Sequence, residues 1–167
     1  MITPRAFRGL VALLLAAPAA GSALAQSAPA QGAASAPATP YAMTLGDMMN
    51  TLIQPRHAKL GLAGKAQNWP LAQYAMIVIR QSFASIVKAQ PKFRGLPVGE
   101  LVTAALSQPM DAADAAIKAQ NPQQFATAYA QLTAGCNACH VAADHPYVVI
   151  KTPDATAFPN QDFNPKH

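Results

Sequence analysis

Apolar residues recur at helical spacing along most of the chain. From Thr44 to about Gly64 one stripe runs Met49, Ile53, His57 and Leu60, the three- and four-residue steps of a single helix face. Thr44 stands where an N-cap belongs, with Asp47 in the first turn behind it. Pro55 predicts a kink or a split, because proline lacks a backbone donor and crowds the preceding turn. That helix is expected to end around Gly61 and Gly64. Asn68 then caps a second helix with Pro70 in its first turn, where a missing N–H does no harm. Its apolar face is Leu71, Tyr74 and Val78, continued by Ile77, Ile79, Phe83, Ile86 and Val87, and Pro91 closes it. Residues 91–97 read as a loop, 98–107 as a short helix, and a further helix is expected from Pro109 or Met110 to about Gln120. Asn121 and Pro122 mark the break before a last helix, from about Gln123 to Ala142. Four main helices joined by short connections predict an all-α fold, an antiparallel four-helix bundle, since short loops force neighbours to lie side by side. Residues 143–167 contain Pro146, Pro153, Pro159 and Pro165 and are expected to form an irregular C-terminal extension.

The N-terminal segment follows a different pattern. Arg5 and Arg8 precede the apolar run Leu10 to Ala20, and Ala23-Leu24-Ala25 places small residues where a signal peptidase reads them. Residues 1–25 therefore read as a secretory signal peptide cleaved after Ala25, which directs the mature chain to the periplasm. The apolar part is shorter than the roughly 20 residues needed to cross a bilayer, and no later stretch is long and apolar enough to do so. Residues 26–40, "QSAPAQGAASAPATP", carry no charge and no apolar face, and read as an Ala/Pro-rich flexible leader. The folded domain is expected to span residues 41–142.

Composition narrows the class. The 167 residues are 51% hydrophobic but only 7% aromatic, with alanine prominent, which suits close-packed helices and disfavours a β-sandwich. The net charge of +5 is spread over single basic residues without the cluster that a nucleic-acid footprint requires. No nucleic-acid partner is expected. No protein-side-chain nucleophile, general base or phosphate loop stands out, so no enzyme activity and no catalytic residue are expected.

The chemistry concentrates in "CNACH". Cys136 and Cys139 are the two cysteines of the chain, and His140 follows directly. On an α-helix Cys139 lies about 60° to one side of Cys136 and His140 about 40° to the other, so all three project from one face. A Cys-x-x-Cys-His sequence is the signature of covalent haem attachment: two thiols bond the macrocycle while the imidazole reaches the iron. Leu132, Tyr129 and Phe125 point within about 40° of Cys136 and are expected to form an apolar strip beside the haem. Three rivals fit less well. A redox dithiol expects a βαβ context that this chain lacks. Zinc needs a fourth ligand, which His145 or His57 could supply, in a spacing that matches no common framework. A plain disulfide leaves His140 unexplained.

A helical domain with this motif near its C-terminus, and "YAQLTAGCNACH" above all, resembles the class II cytochromes c, the four-helix-bundle family that includes cytochrome c′ and its low-spin relatives. The resemblance covers about residues 43–142. It implies one haem c, held by Cys136 and Cys139, with His140 as proximal iron ligand. In low-spin members a methionine early in the first helix supplies the sixth ligand, and "TLGDMMNTLI" offers Met48 and Met49. Met49 shares the stripe with Ile53 and Leu60 and is preferred. Met48 and His57 are the alternatives, and the eight residues from Met49 to His57 span about 12 Å, too far for both to reach one iron. Arg56 and Lys59 are candidates for the propionates. The family further implies periplasmic redox partner proteins and, as in many cytochromes c′, a homodimer. The expected function is single-electron transfer. The alternative is a five-coordinate haem protein that binds NO or CO, with Met49 lining the distal pocket, and a third reading is a helical module in which the motif holds a metal without haem.

Overall fold

A computed structural model describes residues 41–154 and Phe163. The expected signal peptide (1–25) and the expected leader (26–40) lie outside the described residues, as does most of the chain after Asp154. The described residues belong to one compact unit, Pro40–His167.

The unit is all-α, with one small hairpin. A capping box starts α1 (Leu45–Met48): the Asp47 amide donates to Thr44 Oγ1 at 3.2 Å and the Thr44 amide to the Asp47 carboxylate at 2.9 Å. The Tyr41 and Thr44 hydroxyls also donate to that carboxylate, and these hydrogen bonds hold Asp47 below the usual carboxylate range. The helix continues as a π-helical segment, Met49–Ile53, before α2 (Gln54–Lys65). The α-helical winding is thus divided just before Pro55, as expected, but by a π-helical segment and not by a loop. The wider turn, in which the Gln54 amide reaches the Met49 carbonyl, absorbs one extra residue and leaves the proline in the first turn of α2. Side chains serve the neighbouring carbonyls: Thr51 donates to Asp47 O at 2.6 Å and Arg56 to Leu52 O at 3.0 Å.

Asn68 caps α3 (Trp69–Ala89), accepting from the Leu71 amide at 3.1 Å, and its amide donates to the carbonyl of the buried Phe163. The segment expected as a loop is a two-stranded antiparallel hairpin, β1 (Lys92–Phe93) and β2 (Leu96–Pro97). Arg94 and Gly95 at its tip both have positive φ, the pair of left-handed residues that a tight hairpin turn demands.

Residues 98–118 form a single helix, α4 (Val98–Lys118), where two had been expected. Pro109 sits inside it and deprives the Ala105 carbonyl of its helical donor. That carbonyl faces α5 (Pro122–Ala142). There Gly135 rests directly against Ala105 O, so close that a Cβ would collide with that oxygen and with the Leu106 side chain. A Cα–H placed on an otherwise unserved carbonyl offsets part of what proline removes.

Each helix packs on the next, α2 on α3, α3 on α4 and α4 on α5, and α2 also meets α5. Leu60, Met76, Ile79, Ile86, Leu106 and Leu132 fill the centre with almost no exposed surface. Among the described residues no helix is long and apolar enough to cross a membrane. After α5 the chain reverses through Asp144, in the left-handed region, and the His145 amide returns to the His140 carbonyl at 2.8 Å. The irregular segment that follows lies back against α5.

Gly135→Ala is expected to lower stability by about 1–3 kcal/mol, the usual cost of an overpacked contact. Urea denaturation monitored by far-ultraviolet circular dichroism measures it, and a change below about 0.5 kcal/mol would remove the Gly135–Ala105 contact from the account.

Candidate functional site

The last turns of α5 carry Cys136, Cys139 and His140 onto one wall of a cavity of about 300 Å³. Its lining is overwhelmingly apolar, with Ile53, Phe83, Val102, Leu106 and Ile150 among the contributors. That size and character are those of a small-molecule or cofactor pocket. Met49, at the start of the π-helical segment, lines the same cavity, whereas Met48 is half-buried against the core and does not.

Both cysteines are free. Burial is the main cause that pushes the Cys136 thiol up to about 12, with Cys139 beside it adding to the shift, and burial raises Cys139 as well. At neutral pH both are protonated thiols. A reactive dithiol needs the opposite, a thiolate stabilised by positive surroundings. Among the described residues no group of three or more His, Cys, Asp or Glu side chains could hold a metal ion, so neither His145 nor His57 completes a zinc set with the motif.

Three histidines line the cavity, and they differ in what their rings have left to offer; His145 Nδ1 lies 2.8 Å from the Ala143 carbonyl oxygen. His140 Nδ1 lies 2.7 Å from the Val148 carbonyl oxygen. A carbonyl only accepts, so Nδ1 carries the proton and the neutral ring keeps its lone pair on Nε2. In His57 both nitrogens are committed. Thr133 donates its hydroxyl to the Tyr129 carbonyl at 2.9 Å, so at 3.0 Å it accepts from His57 Nε2–H, and the Tyr129 hydroxyl, which donates to the His57 carbonyl at 2.8 Å, also lies 2.9 Å from Nδ1, so that its one proton serves both acceptors. Burial lowers His57 to about 4 and raises Tyr129, which keeps the whole chain of hydrogen bonds neutral. His57 thus joins α2 to α5 from the cavity wall and has no free nitrogen for a metal.

Phe125, Tyr129 and Leu132, the expected apolar strip, are buried and do not line the cavity. Their direction around α5 matches that of Cys136, but the rise of about 1.5 Å per residue carries them progressively away along the axis. Tyr129 stacks on His57 with ring centroids 4.7 Å apart, and Phe125 meets Trp69 edge-on at 6.2 Å. Both rings occupy space left open by glycines of α2, Tyr129 at Gly61 and Phe125 at Gly64. Neither Arg56 nor Lys59 lines the cavity.

Two walls had no counterpart in the sequence reading. Phe93 of the hairpin and His145 of the C-terminal segment both line the cavity, with ring centroids 5.4 Å apart, and Val148 and Ile150 extend that side. An apolar residue in a Pro-rich tail gives no periodic signal, and the Val148 carbonyl is backbone. Compared with family models, curated proteins and solved structures, the chain matches none.

Because His57 has a folded-state value near 4 against 6.5 unfolded, its neutral form favours the fold above about pH 6.5. Protonation of the unfolded chain then removes stability as the pH falls from about 6.5 to about 4, on the order of 3 kcal/mol in all. Denaturant midpoints measured across that range should fall more steeply in the wild type than in His57→Gln; parallel curves would reject the assignment. Tyr129→Phe removes the hydroxyl that serves both His57 Nδ1 and the His57 carbonyl and is expected to cost about 1–3 kcal/mol at pH 7 in the same measurement.

Proposed function

We propose that the chain is a periplasmic c-type cytochrome of class II type, an electron carrier and not an enzyme, built as an antiparallel four-helix bundle around one covalent haem c. The observation that carries this reading is the motif's placement: Cys136, Cys139 and His140 open together onto one apolar cavity, and His140 presents a lone pair on Nε2. Haem iron supplies reversible one-electron chemistry when bound. The residues suit it. Cys136 and Cys139 are thiols at neutral pH, the form from which thioether links to the vinyl groups are made. His140 serves as proximal ligand through Nε2. Met49, which lines the same cavity, would offer its thioether sulfur to the iron, a role for which Met48 is outside the cavity lining and His57 is already engaged. A methionine ligand and a dry lining both favour the reduced iron and raise the potential. The pairwise packing of α2 to α5 supports the bundle. Export follows from residues 1–25, and small periplasmic redox proteins are the partners of a carrier so located.

Expression with a haem-maturation system should yield protein that keeps its haem on a denaturing gel, and Cys136→Ser with Cys139→Ser should abolish that staining. The reduced wild type is expected to show narrow low-spin bands and to bind CO weakly, while Met49→Ala becomes five-coordinate and binds CO readily. A wild type already five-coordinate, with Met49→Ala unchanged, would replace the carrier by the gas-binding reading. Absence of covalent haem in the wild type would reject both.

A further inference from the structure

We infer that the segment after the motif is a strap that orients His140, and that Asn137 is the positioning residue that fastens it. Two anchors hold this segment. At its start the His145 amide returns to the His140 carbonyl at 2.8 Å, and the Val148 amide to the His145 carbonyl at 3.0 Å. At its far end the Asn137 side chain makes a pair of hydrogen bonds with one residue: Asn137 Nδ2 donates to Ile150 O at 2.9 Å, and Ile150 N donates to Asn137 Oδ1 at 2.7 Å. An amide that grips both the N–H and the carbonyl of one residue fixes that segment in position and in direction. Between the anchors hangs the Val148 carbonyl, 2.7 Å from His140 Nδ1.

Asn137 is one of the two spacer residues of the motif and touches no part of the imidazole; it acts through the strap. Unfastened, the strap no longer holds the carbonyl at Nδ1, and the ring is free to turn about its Cβ–Cγ bond or to carry its proton on Nε2. Fastened, the same hydrogen bond makes Nε2 the lone-pair nitrogen and a stronger electron donor, as acceptors placed behind ligating histidines do. The strap's Val148 and Ile150 also line the cavity, so one hydrogen-bonded unit closes a wall and aims the ligand. What Nε2 binds rests on the cytochrome reading above; the strap itself does not.

Nitrogen-15 NMR of the full-length mature chain without cofactor tests the strap directly. His140 is expected to be protonated on Nδ1 in the wild type, and Asn137→Leu should shift it to a majority of the Nε2–H form that a free histidine side chain prefers. The Ile150 amide should exchange with solvent roughly tenfold or more faster in the variant, as the loss of two hydrogen bonds implies. Val149→Ala, on an exposed side chain of the same segment, should alter neither. In the haem-loaded protein Asn137→Leu should raise the reduction potential, because a less electron-rich imidazole stabilises ferric iron less. A wild-type His140 protonated on Nε2, an unchanged tautomer ratio in Asn137→Leu, or an unprotected Ile150 amide in the wild type would overturn the inference. A wild type that takes up no haem would sink the cytochrome reading, and the ring-nitrogen signals would still decide the strap.

Discussion

The seating of α5 governs everything else in this protein. On one side Gly135 lies against the Ala105 carbonyl of α4, with no room for a side chain. On the other, Tyr129 and Thr133 grip both nitrogens of His57 on α2. Close packing of this kind is not continuously adjustable, so α5 has essentially one azimuth and one axial position. Cys136 directly follows Gly135, and the motif inherits that position. A helix free to rotate by one residue's angle would turn the same three side chains toward solvent.

The polar groups beside the cavity are arranged so that none needs water. The hydroxyl of Tyr129, the ring of His57 and the hydroxyl of Thr133 pass donors and acceptors among themselves, and among the described residues no buried side-chain N or O lacks a partner. A neutral, satisfied network adds little local charge of its own. The thiols are neutral for the same reason of burial. The cavity is thus a largely apolar chamber into which the imidazoles of His140 and His145 bring polar nitrogens, and the direction of the His140 ring is set by a backbone carbonyl from the C-terminal segment.

What could be read in the sequence, and what could not, divides along the range of the interactions. The caps at Thr44, Asn68 and Asn121 are contacts between a side chain and an amide three residues on, so the letters themselves carry them. The motif was legible for a similar reason, since helical periodicity alone gathers Cys136, Cys139 and His140. Pro109 misled because the proline's cost is local whereas its compensation comes from Gly135 on another helix. Phe125, Tyr129 and Leu132 misled because periodicity reports direction around an axis and not distance along it. Met49 was preferred to Met48 from its stripe, and the cavity lining agrees, although the wider turn that starts at Met49 left no mark in the pattern.

That wider turn has a consequence for the phase of the chain. The π-helical segment Met49–Ile53 holds one residue more than α-helical winding needs. Loss of any single residue there would restore ordinary winding and keep Thr44–Met48 in their present angular setting over α2. Loss of a residue in α1 itself would rotate what precedes it by about 100°. The segment is therefore the one place in the first helix where the chain can shorten without being rotated out of register, and the place where an ancestral insertion would have been absorbed at least cost.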